Sequence, residues 1–549
     1  MYKPVPALKN QQITYLRSRK TKRKMKQIFT TIVLFWLLQP AQSQNYFACG
    51  EQAGLWNYDT VFVQCDVQIP DGQVLQIAPG TKVIFNGHFS LHVQGTLKAL
   101  GQSADSILFT INDTTGFGNI HSNSGGWNGI RFEDTPESND SSQFSFCRLS
   151  FGKAVGDSAN CYGGALRIKR FNKISIRSCR LDDNYSFLSG GALYAFKSNL
   201  IIENSIVSGN YSGNDGMVYG YGGGLCFVSS DPIVRKNLFY NNSSTGVGGA
   251  ASFEFSRPIL LDCVVRDNYS ALGGGLCFLR SQPDRTVANL LIINNIARFF
   301  GGGIANLTAT TVMSNATITG NMAPMGGGYY CNEYAHAKLF NSILWGNIAS
   351  DTLGSQVWIW DVNSVPGFYN TIVEGGIPWF GGSTFQGEFV DCPNLDPLFT
   401  AAASGDYSLQ AGSPAINTAL NDIGFFALPN HDLAGQNRLM HGTVDMGAYE
   451  YQGFVGINQK KSGLSEISIT PNPVTENSTL SIRSAAQQPC SIRITDMQGK
   501  SCFETTVQLL EGQNTISLAG FVMQNQLPKG LYLLNIQAES IRASIKLLR

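Results

Sequence analysis

The spacing of apolar residues changes several times along this chain. Residues 28–38, IFTTIVLFWLL, form one unbroken apolar run. Residues 71–101, DGQVLQIAPGTKVIFNGHFSLHVQGTLKALG, alternate apolar and polar positions between glycine-containing turns, the pattern of short half-buried strands. Further on, a longer period takes over. Apolar residues at Leu181, Val207, Phe239, Val265, Ile292, Ile318 and Leu344 each stand three positions before an asparagine. Those asparagines are Asn184, Asn210, Asn242, Asn268, Asn295, Asn321 and Asn347, at spacings of 26, 32, 26, 27, 26 and 26. The first glycine of a following Gly-Gly pair recurs at 163, 190, 222, 248, 273, 301 and 326. The one long interval occurs in both series, at YSGNDGMVYGYGGG, and reads as a loop insertion that keeps the register.

A unit of about 26 residues without helical periodicity is too short for a four-stranded propeller blade. It fits one coil of a parallel β-helix, three short strands joined by three turns. Coils stack at strand spacing, so equivalent positions form ladders. An asparagine ladder can satisfy buried turn groups from coil to coil. A glycine at the next corner supplies positive φ and lets backbones approach. The expected fold is all-β, a right-handed parallel β-helix followed by a small C-terminal β-sandwich. Residues 44–140 read as an N-terminal cap with the first coils, 141–394 as the repeats, with LGSQVWIWDV a degraded copy, and 395–455 as a closing cap. Residues 456–465 read as a polar linker, and 466–549 as five to seven alternating strands, enough for a sandwich.

Composition narrows the function classes. Only 14% of residues are charged, against roughly 25% in an average soluble protein. The net charge of +1 argues against an electrostatic grip on nucleic acid. A basic stretch, RSRKTKRKMKQ, precedes the apolar run, and QPAQSQ follows it. Together they predict a secretory signal over 1–43 with cleavage after Ser43, Met25 serving equally as a start. No later run is long enough to span a bilayer, so the mature chain is expected to lack a transmembrane helix. Export allows disulfides. Of the 12 cysteines, Cys49 and Cys65 are close enough in sequence to bridge, and the others read as small buried residues. Their scatter shows no metal-ligand spacing, and no metal or cofactor is expected.

Three resemblances follow from quoted residues. The apolar-x-x-Asn and Gly-Gly repeat resembles polymorphic outer-membrane-protein repeats, and right-handed parallel β-helix proteins generally. The tail is similar to the C-terminal sorting domain of type IX secretion, through Pro471, Asn472 and Pro473, through DMQGK with Gly499, and through KGLYLLNI with Gly530 and Tyr532. That resemblance implies the type IX secretion machinery as partner, passage through the outer membrane, and attachment to surface lipopolysaccharide or release. Residues 413–451, SPAINTA to GAYEY, resemble a motif found at the end of many β-helix domains.

Catalytic signatures are sparse. Arg167-Ile168-Lys169 matches a fragment of pectin-type hydrolases without their acidic motifs, and RSQPDR at 280–285 lacks an acidic calcium cluster. Asp182, Asp183, Asp262 and Asp267 adjoin the asparagine corners and read as solvated turn residues. Trp345, Trp358, Trp360 and Trp379 crowd the last coils, with Tyr329, Tyr330 and Tyr334 nearby. Trp358 and Trp360 alternate and so share a strand face. Exposed rings there would stack on sugars; buried ones would cover the helix end. The favoured expectation is a non-catalytic adhesin-like surface protein binding extracellular glycans or host surfaces. The alternatives are a polysaccharide lyase or glycoside hydrolase, and a structural surface-coat protein.

Overall fold

Every coil repeats the same short alternation, and the coil that starts at Gly190 illustrates it. In the computed structural model, Leu193–Phe196, Leu200–Glu203, Ile206–Ser208 and Tyr211–Ser212 are successive strands. They define four faces, A to D. Three were expected; the fourth is the short strand, two to five residues long, that follows each ladder asparagine. Faces A to C belong to one 34-stranded sheet and face D to an 8-stranded one. All pairings within them are parallel and mostly in register, as in Leu166↔Leu193↔Leu225↔Ala251. The structure describes residues 44–157, 160–214, 220–282, 285–350, 353–453, 467–472, 474–496, 500–519, 527–528, 530–538 and 542–549. The expected signal segment 1–43, the linker 456–465, Pro473 and Gly499 lie outside the described residues.

The inward positions build one continuous core along the helix. Phe227, Phe253 and Phe278 stack at 5.4 and 5.3 Å, one per coil. Near the N-terminal end Trp127 stacks on Phe85 at 4.4 Å and donates its indole N–H to Ser150 O at 2.7 Å. The first strand, Asn45–Glu51, is tied to the next by the Cys49–Cys65 disulfide.

The corners carry the polar chemistry. Asn184 donates its backbone N–H and its Nδ2 to Asn210 Oδ1, at 3.0 and 2.9 Å, and Nδ2 also to Leu149 O. The same pattern runs to Asn347, whose Nδ2 ends on Gln356 Oε1 at 2.6 Å. Gly248, the first of its pair, has φ +67°, and a Cβ on Gly249 would stand 2.2 Å from Gly274 O. A second ladder, Ser198, Ser230 and Ser256, sits between faces A and B, each Oγ accepting the backbone N–H of the preceding coil.

The C-terminal end of the core is filled by Phe368, Phe380, Phe385 and Phe389, packed edge-on or tilted. Residues 395–455 were expected as a closing cap; the described part, 395–453, is bonded instead to the Asn289, Asn315, Asn341 and Asn370 corners. It runs back along the flank of the helix over the corner between faces B and C. The tail forms two antiparallel sheets, of three and four strands, around Leu480, Ile482, Ile492, Ile494, Leu534 and Ile536.

Candidate functional site

The B–C corner of every repeat carries a residue in the left-handed region: Asn204, Lys236, Asp262, Asn289, Asn315, Asn341 and Asn370, with φ of 43–56°. Beside it, face C presents an outward column, Ile206↔Leu238↔Val264↔Leu291↔Thr317↔Ile343↔Ile372. The flank segment covers the second half of both. Asn289 Nδ2 donates to His431 O, Asn315 Nδ2 to Asp445 O, Asn341 Nδ2 to Leu420 O and Asn370 Nδ2 to Thr418 O. Leu291 and Ile293 pack with Tyr407, and Ile343 and Ile372 with Leu409, Ala415, Val444 and Met446. Sequence reasoning missed this docking line, although asparagines at 289, 315 and 341 repeat at 26, a second series beside the first.

The segment is locked by a buried charged group. Arg438 Nη2 reaches Asn289 Oδ1 at 2.8 Å and Ala448 O at 2.9 Å, and its Nη1 lies 3.6 Å from Glu450 Oε2. Asp432 accepts the backbone N–H groups of Gln436 and Glu450, both at 2.8 Å. Asp445 accepts those of Asn417 and Tyr451. Burial, reinforced by Asp445, pushes the Glu450 carboxyl up to about 8. These residues are the matched positions of the 413–451 motif, and their role here is to seat the segment.

Where the segment ends, the column and corners continue uncovered. Asn204, Lys236, Asp262, Leu238, Val264 and Tyr449 help line an open groove of about 1040 Å³. Its floor is apolar, and its walls carry the Asn204 amide, the Lys236 ammonium and two carboxylates, Asp262 from the helix and Asp432 from the flank segment. Asp262 accepts Asn289 Nδ2 at 2.8 Å, and burial holds its carboxyl above the usual range.

The four tryptophans do not form one surface. Trp345 packs against the flank cluster. Trp358 lies on face A, pressed against Gly354 and Gly381, in a cluster with Cys277, Ala305 and Tyr330. Trp360 is half exposed and meets Phe300 edge-on at 5.2 Å, with Tyr330 stacked beyond at 4.9 Å. Trp379 is also half exposed, on a single turn over Gly375. Tyr329 and Tyr330 are buried, and Tyr334 is exposed.

The expected turn carboxylates also differ from one another. Asp182 is buried rather than solvated, because Arg148 and Arg180 close over it at 2.6 and 3.4 Å. Asp183 is exposed, and Asp267 pairs with Arg266. Arg167 is buried and bonds Glu133 at 2.6 Å, beside the buried Arg131, whose guanidinium burial pulls down to about 9. The RSQPDR turn lies partly outside the described residues. Among the described residues no group of three His, Cys, Asp or Glu could hold a metal ion. No helix among them is long and apolar enough to cross a membrane.

In the tail, the motif residues brace the final strand, Arg542–Leu548. Asn472 Nδ2 donates to Lys546 O at 2.8 Å, Gly530 and Arg549 exchange backbone bonds, and Tyr532 donates to Pro528 O.

A family model described as a right handed beta helix region matches residues 105–289. One described as a secretion system C-terminal sorting domain matches residues 468–548. No curated protein matches the chain. Among solved structures it is similar to the enzymatically active domain of bacteriophage CBA120 tailspike protein 4, at 11% identity and a TM-score of 0.18, over 89% of this chain and 63% of that one. The chain thus spans less than two thirds of that domain, and a likeness at that score is too slight to carry chemistry across. The protein is therefore an exported one, a right-handed β-helix carrying a secretion-system C-terminal sorting domain that marks it for the cell surface or release beyond it.

Proposed function

We propose that the protein is an adhesin-like surface module that holds an extended glycan in the flank groove and leaves it uncut. The observation that carries this reading is the continuity of the groove with the covered flank. The apolar floor and hydrogen-bonding corners that seat residues 395–453 run on at Ile206 and Leu238 beside Asn204, Lys236 and Asp262, with Val264 at the edge of the Leu291, Ile293 and Tyr407 cluster. Sugars present apolar C–H faces and a dense set of hydroxyls, and this surface offers a partner for each. Two-carboxylate hydrolysis needs a second available acid. Asp432, the other carboxylate at the groove, spends both oxygens on backbone N–H groups. Trp360 and Trp379, with exposed rings, are assigned to stacking outside the groove, and Trp345 and Trp358 to packing.

The test is titration of the exported chain with plant, algal and host glycans. Asn204→Ala and Lys236→Ala should each weaken binding roughly five- to tenfold, about one hydrogen bond apiece. Unchanged affinity in both would remove the groove from the account. One observation favours cleavage instead, the raised carboxyl of Asp262, since a general acid needs such a shift. Oligosaccharide release that Asp262→Asn abolishes would establish that second reading.

A further inference from the structure

A third ladder, at the entry to face C, contains two adjacent cysteines. Cys147 donates its backbone N–H to Cys179 Sγ at 3.4 Å. Cys179 donates likewise to Ser205 Oγ at 3.0 Å, and Ser205 to Asn237 Oδ1 at 2.8 Å. Each of the first three side chains also leans back on the carbonyl two residues earlier: Ser145, Arg177 and Glu203. At one step, therefore, thiol stands on thiol where the following steps place a hydroxyl or an amide. The next residues, Arg148 and Arg180, are paired in register. Neighbouring parallel strands lie about 4.8 Å apart, inside the Cα separation of about 4.4–6.8 Å that a disulfide spans. Cys179 Sγ thus already stands 3.4 Å from the Cys147 backbone nitrogen, while Cys147 Sγ also reaches Ala99 O of the preceding coil at 3.4 Å. Elsewhere the column positions keep cysteines apart: Ser252 separates Cys226 from Cys277.

The chain is exported, so these thiols meet an oxidising compartment, and Cys49 and Cys65 are already joined. We propose that Cys147 and Cys179 form a second disulfide in the exported protein, a staple between adjacent coils. The oxidant is a disulfide-bearing exchange partner, an oxidoreductase or a small-molecule disulfide. Its S–S bond accepts two electrons and two protons and becomes two thiols, while the Cys147 and Cys179 thiols lose theirs and gain one S–S bond. Both sulfurs are buried once the coils stack, so exchange precedes or accompanies stacking. Closing the bond turns each sulfur from its carbonyl toward the other.

The full chain, recovered after export, would be denatured without reductant, alkylated, digested and read by mass spectrometry. The expected product is a cross-linked pair of peptides holding Cys147 and Cys179, separable only after reduction. Alkylation of both residues before reduction would overturn the proposal. A second measurement covers a purely packing role. In a Cys49→Ser, Cys65→Ser background, reductant should lower the melting temperature by several degrees. Adding Cys147→Ser or Cys179→Ser should abolish that response. A background protein insensitive to reductant would refute the staple.

Discussion

Asn295→Ala tests the stacking principle at its most buried point. Asn295 Oδ1 accepts the backbone N–H and Nδ2 of Asn268, at 3.0 and 2.9 Å. Its Nδ2 donates to Val265 O and to Asn321 Oδ1, both at 2.9 Å. The alanine variant strands the Asn268 N–H in a site closed to water, while the Val265 carbonyl keeps the ladder bond from Ile293 in the next coil. Asn268 Nδ2 keeps Arg266 O, and Asn321 Oδ1 keeps the backbone N–H of residue 295. An orphaned buried group costs about 1–3 kcal/mol, which is the expected loss. Asn199→Ala is the control, since its side chain accepts the Asp231 N–H at an exposed position and should cost under about 1 kcal/mol. Stacked coils need not unfold in one step, so the assay is local hydrogen exchange with urea melting beside it. The Asn268 amide should lose roughly five- to 150-fold of its protection, with loss spreading to the adjoining coils. Equal effects of Asn295→Ala and Asn199→Ala would refute the argument.

Gly249→Ala should prevent or severely weaken stacking, because its Cβ would stand 2.2 Å from Gly274 O; Gly118→Ala, with open space around it, should be silent by the same melt. Trp127→Ala removes a ring stacked on Phe85 and a bond to Ser150 O and should cost about 3–5 kcal/mol, read as an early loss of the N-terminal coils in denaturant. The flank segment should loosen as pH rises. Glu450 titrates at about 8 in the folded chain and at an ordinary carboxyl value when unfolded. The folded state thus holds the extra proton between about pH 4.5 and 8, and stability falls across that window. Exchange of the 430–450 amides at pH 5 and 8 measures this, and Glu450→Gln should flatten the difference.

The asparagine and glycine series were readable because both residues recur at one spacing beside an apolar position. The structure places those asparagine side chains in one hydrogen-bonded column. The serine ladder was not readable, since Ser198, Ser230 and Ser256 follow Lys197, Ser229 and Phe255, residues with no bias to the left-handed conformation they adopt. The flank groove was hidden for a different reason. Its lining comes from residues as far apart as Asn204 and Tyr449, and local pattern carries no information about such contacts. For the tryptophans, alternation placed Trp358 and Trp360 on one strand face and left open whether that face is exposed or covered. Exposure depended on what the neighbouring coils supply, glycines under Trp358 and Phe300 beside Trp360. Asp182 was misjudged likewise, because the arginine that buries it most closely, Arg148, belongs to the preceding coil.

The central claim is a groove that binds glycan without cutting it. The most direct measurement incubates the exported chain with the glycan panel, then assays both the bound fraction and soluble products by mass spectrometry. The account predicts retention of at least one glycan, loss of that retention in the Asn204→Ala, Lys236→Ala double variant, and no released oligosaccharide from a panel that known enzymes digest. Release of oligosaccharide from any of these glycans, or retention indifferent to the double variant, would contradict it.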